Sequence, residues 1–191
     1  DHELFWKEAD IRDFPVFRQV VDEFGPEYVI HLAARADLTG KSLQDYSSNI
    51  KGVENVIQVC NEIASIRKAI FTSTMLVCKA GYIPKNNNDY CPPNLYGESK
   101  VIGEKLLKTA SPDLNYSWVI IRPTSIWGPW FGPTYREFFE LIMSKRYFNF
   151  TGKASVKTYG FIGNSVYQID MLLMSDSTHG KTFYIGDYEP I

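Results

Sequence analysis

The feature that most constrains this chain is an alternation of two kinds of hydrophobic segment. Short apolar runs of the kind shown by strands covered on both faces stand at Val29–Ala33, Lys68–Ser73 and Trp118–Arg122. Between them lie longer segments with helical spacing. Pro15–Phe24 places Val16, Val20 and Phe24 on one face and stops at Gly25-Pro26. Leu43–Ala64 spaces Ile50, Val53, Ile57 and Ile63 for one long helix, and Tyr96–Ala110 continues the pattern through Val101, Ile102 and Leu106. Strands alternating with helices of this length are βαβ units, which build a parallel sheet. The right-handed crossover rule then predicts an α/β fold with a doubly wound sheet. After Arg122 the texture changes. Pro123, Gly128-Pro129 and Gly132-Pro133 punctuate an aromatic-rich loop, a helix follows at about Tyr135–Lys145, and a further strand-like run spans Lys181–Gly186.

Composition narrows the class. At 191 residues, 45% hydrophobic and 22% charged, the chain can bury a real core as one domain and is not a disordered tail. Its 20 basic and 22 acidic residues leave a net charge of −2, with no basic stripe to bind nucleic acid. The longest apolar runs, Val29–Ala34 and Val119–Ile121, fall far short of the ~18 residues of a membrane helix, so no membrane partner is expected. Cys60, Cys78 and Cys91 are an odd count with no C-x-x-C, which argues against a disulfide framework and a structural zinc. The chain opens Asp1-His2-Glu3-Leu4 without a signal-peptide pattern, and the sequons at Asn115 and Asn149 read as chance; a reducing cytoplasm is the expected location. His2, His31 and His179 lack metal-ligand spacing, and His31 on its apolar strand reads as structural. No G-x-S-x-G elbow is present, which disfavours an α/β-hydrolase.

In an open α/β sheet, ligands bind outside the carboxyl ends of the strands, so chemistry is expected after Leu32, Ser73 and Arg122. The sharpest local feature is Tyr96-Gly97-Glu98-Ser99-Lys100 at the start of a helical segment. Tyr96 and Lys100 are four apart and share a helix face. A tyrosine of pKa ~10 is a poor base at neutral pH. An ammonium at ~4 Å would supply roughly 4 kcal/mol at an effective dielectric of 20, enough to lower that value by about three. The pair then becomes a base for an alcohol proton, although on spacing alone a solvated helix face explains it as well. Phe71-Thr72-Ser73-Thr74 brings hydroxyls to the sheet edge, and Ala33-Ala34 leaves room for a ligand to approach the backbone. None of the thirteen glycines forms the G-x-G-x-x-G turn that cradles a pyrophosphate, so either this is not a dinucleotide domain or the chain begins after that unit.

Taken in order, Ala33-Ala34, Asn49, Thr74, Tyr96/Lys100 and Arg122-Pro123-Thr124-Ser125-Ile126-Trp127-Gly128-Pro129 resemble the extended short-chain dehydrogenase/reductase superfamily. Within it the match is to the NAD-dependent epimerase/dehydratase family, which acts on nucleotide sugars, and it runs from Asp10 to about Gly186. The resemblance implies a Rossmann-like fold that uses NAD or NADP. It implies that Asp10 and Ile11 meet the adenine, that Ala33 and Ala34 lie beside the phosphates and ribose, and that Pro123 borders the nicotinamide. Asn49 would sit near the active site, either toward the cofactor or holding a helix kink. Thr74 would hydrogen-bond the reacting oxygen, Tyr96 would be the acid/base, and Lys100 would bind ribose and tune Tyr96. Thr74, Ser125 and Lys157 are the implied substrate contacts, and no metal is implied.

Departures from the family pattern shape the expected reaction. Met75 and Leu76 stand where dehydratases carry Asp-Glu, and neither can transfer a proton. Ser125 replaces a common asparagine, Lys157 an arginine that clamps a diphosphate with a bidentate fork, and Asn164 an aspartate. Relatives carry a βαβ unit before the position of Asp10 and a further portion after Gly186, so the chain looks like an internal fragment. The expected division is a partial dinucleotide-binding domain at 1–125, the start of a substrate-binding portion at 126–180, and a strand returning to the main sheet at 181–191. The implied activity is nucleotide-sugar epimerisation by transient oxidation. A reductase or dehydrogenase using the same residues, or a non-catalytic dinucleotide-binding protein, are the alternatives. A homodimer through Leu43–Ala64 and Tyr96–Ala110 is implied as well. Trp127, Trp130 and Phe131 are candidates for a sugar or base pocket, or for loop packing.

Overall fold

A computed structural model describes residues 5–130, 132–146 and 158–187. The first helix, α1 (Phe14–Phe24), starts where expected for a local reason. The Asp13 carboxylate accepts from the Val16 amide, and Pro15, in the first turn, has no amide proton to leave unpaired. Gly25 ends the helix in the left-handed conformation (φ 60°), its amide donating back to Val21.

Four strands form the main sheet: β1 (Tyr28–His31), β2 (Lys68–Thr72), β3 (Ser117–Pro123) and β6 (Lys181–Ile185). All pair in parallel in the order β1-β2-β3-β6, with Val29 beside Ala69 and Ala69 beside Trp118. β1 stops at His31, two residues earlier than its apolar run suggests, and Leu32 and Ala33 leave the ladder at the carboxyl edge. Alternation along the strands sends side chains to both faces. Ala69, Phe71, Trp118 and Ile120 pack against Val56, Val59 and Cys60 of α2 (Val53–Glu62) and Leu107 of α3 (Leu95–Ala110). Ile70, Val119, Ile121 and Ile185 face the other way, against Ile169, Leu172 and Leu173 of α5 (Ile162–Met174). The sheet is therefore doubly wound, as its continuous apolar strands require.

The expected single helix over Leu43–Ala64 is instead three pieces: a 3₁₀ turn (Leu43–Tyr46), a π turn (Ser48–Gly52) and α2. Two tertiary demands break the α-helical path. Asn49 is fully buried with its amide committed to other segments, and a Cβ on Gly52 would lie 2.4 Å from the Ile11 side chain. Such wide turns recur inside helices where a side chain must be re-aimed.

After β3 the chain holds the helix expected near Tyr135–Lys145 and the strand expected over Lys181–Gly186, together with two short strands and a helix that the sequence does not announce. β4 (Ser125–Trp127) pairs in parallel with β5 (Tyr159–Phe161) as a separate two-stranded sheet, and α4 (Pro133–Met143) lies between them in sequence. α5 follows β5 directly and is tied to the main sheet by Lys68. The buried ammonium donates to the Leu172 and Ser175 carbonyls and the Thr178 hydroxyl, each at 2.7 Å, and so neutralises the carboxyl end of α5. β6 then rejoins the main sheet beside β3. Among the described residues no strand pairs with the outer edge of β1, and Trp6, Phe24, Ile30 and Leu32 form an open apolar face beside it. No described helix is long and apolar enough to cross a membrane.

Candidate active site

The site forms where β1, β2 and β3 end. Thr74 follows β2 and caps a 3₁₀ turn (Met75–Val77), accepting from the Leu76 amide at 3.2 Å. Tyr96 sits in the first turn of α3, whose start is set by the Asn94 side chain accepting from the Gly97 amide at 2.8 Å. These two turns touch through Gly97. A Cβ there would lie 2.3 Å from the Leu76 carbonyl oxygen, so only glycine lets α3 come this close to the Thr74 turn. Thr74 and Tyr96 meet as a result: burial raises the Tyr96 pKa and the Thr74 hydroxyl works to lower it.

Lys100, one turn further along α3, is buried and donates to the Thr72 carbonyl at 2.8 Å. Burial pulls its pKa down to about 8, opposed by the Glu104 carboxylate one more turn along. The expectation that Lys100 lowers the Tyr96 pKa needs correction. The groups acting on Tyr96 are burial, Thr74 and the neighbouring Tyr46, whereas the Lys100 ammonium is turned toward the end of β2. The helix face that the two residues share therefore does not by itself place their charged atoms together. An ammonium has three donors, and among the described residues Lys100 gives one to the protein.

Behind Lys100 lies an interior cavity lined by His31, Asn49, Thr72, Ser73, Lys100 and Glu104. Among the described residues, Nε2 of His31 and the hydroxyls of Thr72 and Ser73 are buried here without a hydrogen-bond partner. The Ser73 hydroxyl lies near enough to Glu104 to favour its charged form, yet completes no hydrogen bond with it. His31 is held neutral, its pKa pushed down to about 4 by burial and then by the Lys100 charge.

Asp10, Ile11, Ala33 and Ala34 line one open cleft with Arg35 and Ser48, beside the carboxyl end of β1. Asp10 is exposed and bound to Arg12, which holds its carboxyl down at about 2. Ile11 packs inward on Gly52, and the Asn55 amide fastens this segment by donating to the Ile11 and Arg12 carbonyls. Asn49 is spent on the protein itself. Its Nδ2 donates to the Arg35 carbonyl and the Ser99 hydroxyl, and its Oδ1 accepts from the Arg35 amide at 2.8 Å. It thus fastens the Ala33–Arg35 turn to α3 and presents no surface to a ligand.

Pro123 ends β3 opposite Ile185, and Ser125 opens β4 opposite Tyr159, both half-buried at the same edge. Between them the Thr124 hydroxyl meets the Thr158 carbonyl and the Met75 sulfur, joining this edge to the Thr74 turn. Lys157 and Phe131 lie outside the described residues. Asn164 donates to Asp187 at 2.8 Å. Trp127 packs between Phe139 and Phe161, so of the aromatic candidates it is a packing residue, while Trp130 is fully exposed.

The structure also shows a buried cluster that sequence reasoning passes over. Arg122 makes a bidentate pair with Glu104 (2.8 and 2.7 Å) and donates to the Asn87 carbonyl and the Tyr184 hydroxyl. Tyr90 and Lys108 also bond Glu104. Burial works to raise the Glu104 pKa, and the Arg122 hydrogen bonds and charge outweigh it, leaving the carboxyl below its ordinary value. The available signal was spacing: Tyr96, Lys100, Glu104 and Lys108 recur every four residues on one face of α3.

A parallel sheet wound on both faces, with a small-residue turn after one strand, a hydroxyl after the next and a Tyr-x-x-x-Lys helix beside it, defines a domain of the extended short-chain dehydrogenase/reductase type. The model of the NAD dependent epimerase/dehydratase family matches residues 1–167, and the chain belongs to that family. It is similar to 3-beta-hydroxysteroid dehydrogenase of Mycolicibacterium neoaurum, 23% identical over 184 residues, covering 87% of this chain and 50% of the relative. It is 34% identical over 116 residues to 2-alkyl-3-oxoalkanoate reductase of Shewanella oneidensis, covering 55% of this chain and 30% of the relative. The chain thus spans half or less of these curated relatives. A solved structure of UDP-glucuronic acid 4-epimerase from Bacillus cereus, in complex with UDP-glucuronic acid and NAD, matches with a TM-score of 0.78 at 21% identity, covering 96% of this chain and 60% of that one.

Proposed function

We propose that the complete protein is a nicotinamide-dependent nucleotide-sugar epimerase whose reacting groups are Thr74, Tyr96 and Lys100. The observation that carries this reading is the meeting of the Thr74 and Tyr96 turns through Gly97, one helical turn from a buried Lys100 with donors to spare. The chain's own residues fit a dinucleotide. The cleft beside β1 is open, walled by the small Ala33 and Ala34 and reached by the Asp10 carboxylate, and Pro123 stands at the end of β3, two strands along the same sheet. The cofactor, when bound, supplies hydride acceptance and return.

In this reading Tyr96 Oη takes the proton of a sugar hydroxyl and later gives it back, while Thr74 donates a hydrogen bond to the same oxygen as charge develops on it. Lys100 keeps its spare donors for a ribose and holds the turn after β2 through the Thr72 carbonyl. Met75 and Leu76 carry no proton that could leave with a hydroxyl, which favours epimerisation over water elimination. A second reading, net reduction or dehydrogenation with the same residues, is favoured by the similarity to a reductase and a hydroxysteroid dehydrogenase.

Incubation of the complete protein with nucleoside diphosphate sugars and NAD separates the two. Epimerisation gives isomers by proton NMR with no net absorbance change at ~340 nm, and dehydrogenation gives a net change. Tyr96→Phe lowers either turnover by ~10²–10⁴-fold while substrate binding survives. Near-normal turnover in that variant refutes the assignment of the base.

A further inference from the structure

We propose that Cys78 and Cys91 are a redox modification site, closing to an intramolecular disulfide that ties the Thr74 turn to the start of the Tyr96 helix. Cys78 ends the 3₁₀ turn that Thr74 begins, and Cys91 lies three residues before the Asn94 cap of α3. The two cysteines face each other in a parallel β-bridge. Cys91 is bonded on both sides of its partner, its amide donating to the Val77 carbonyl at 3.0 Å and its carbonyl accepting from the Lys79 amide at 2.8 Å. Directly opposed residues on paired strands project side chains to one face, and the ~4.8 Å strand spacing falls within the ~4.4–6.8 Å between the Cα atoms of a disulfide.

The Cys78 thiol donates to the Asp89 carbonyl at 3.5 Å, which holds it on one side of the bridge. Both cysteines are free and half-buried, reachable by a small thiol reagent, whereas Cys60 is buried in the core.

The oxidant is a small-molecule disulfide. One cysteine thiolate attacks oxidised glutathione, forming a mixed disulfide and releasing one glutathione thiol. The second cysteine attacks the protein-side sulfur and releases the other. Two protein thiols lose two electrons and two protons, and one glutathione disulfide becomes two thiols.

The test is equilibration of the folded protein in graded reduced/oxidised glutathione, then acid quench, denaturation and alkylation. Expected are the joint loss of two of the three thiols in a single transition, and a linked peptide pair containing Cys78 and Cys91 by mass spectrometry. Trypsin cuts at Lys79 or Lys85, between the two cysteines, should leave fragments that separate only after reductant is added. Cys78→Ser and Cys91→Ser should each abolish the linked pair while Cys60 stays reduced. Separate glutathione adducts at both positions without a linked pair overturn the proposal, as do a linkage through Cys60 or disulfide-joined dimers.

Discussion

Removing one partner of the Arg122–Glu104 pair should cost more than removing both. Arg122 has no exposed surface, and its guanidinium binds both Glu104 oxygens, at 2.8 and 2.7 Å. Glu104→Gln keeps the size of the side chain and strips its charge, leaving a cation sealed in the protein with only carbonyl and phenol acceptors. A buried charge stripped of its partner costs about 3–5 kcal/mol. For a chain of this length each kcal/mol moves the melting temperature by about 2–4 °C, so Glu104→Gln or Arg122→Met should melt about 6–20 °C lower. The Glu104→Gln/Arg122→Met double variant removes both charges and their desolvation, and should be more stable than either single one. Lys108 is partly exposed and turns to water when Glu104 is gone. Urea unfolding of the three variants and the parent completes the cycle. A cost below about 1 kcal/mol for either single variant, or additive costs in the double, would refute the claim that the charges depend on each other.

Acid should weaken the fold through His31. The unfolded imidazole takes its proton near 6.5 and the folded one only near 4, so this contribution to stability is complete above pH 6.5 and drains as pH falls, by at most about 3 kcal/mol. His31→Leu should flatten that limb in urea titrations between pH 4 and 7; an unchanged slope counts against it. Lys100 works in the alkaline range. It holds its proton to 10.5 unfolded and to about 8 folded, so the fold carries the cost of a buried charge below pH 8 and sheds it as pH rises toward 10.5. Lys100→Met should raise neutral-pH stability by about 2 kcal/mol and shrink the alkaline rise, to which the buried Lys68 and the partly buried Lys108 also contribute, while turnover of the complete protein falls. Gly97→Ala forces a Cβ against the Leu76 carbonyl; calorimetry should show a loss of about 1–3 kcal/mol, and a neutral result means the two turns are less tightly opposed.

Local pattern reached far into this protein. Short continuous apolar runs and helical runs of ten or more residues specified strands β1 to β3, the helices α1 and α3, and a parallel sheet, because each signal depends on neighbours in sequence. The order of Ala33-Ala34, Thr74, Tyr96 and Lys100 along those elements located the candidate site, since strand ends on one edge of a parallel sheet share one side of the molecule. What was not legible depends on residues distant in sequence. The break in the expected Leu43–Ala64 helix comes from Asn49 reaching Arg35 and Ser99 and from Ile11 pressing on Gly52. The roles of Glu104 and Arg122 exist only once α3 is laid against β3, which removes both from water and makes each the other's necessary partner. The direction of Lys100 was decided in the same way: helical spacing puts it on the face of Tyr96, and the depth of packing turns its ammonium to the Thr72 carbonyl. Sequence determined the strands and helices whose signal is local and continuous, and which chemical groups stand at the sheet edge. Tertiary structure decided which of those groups touch and what charge each carries, because burial and long-range hydrogen bonds, which set both, arise only when the chain closes on itself.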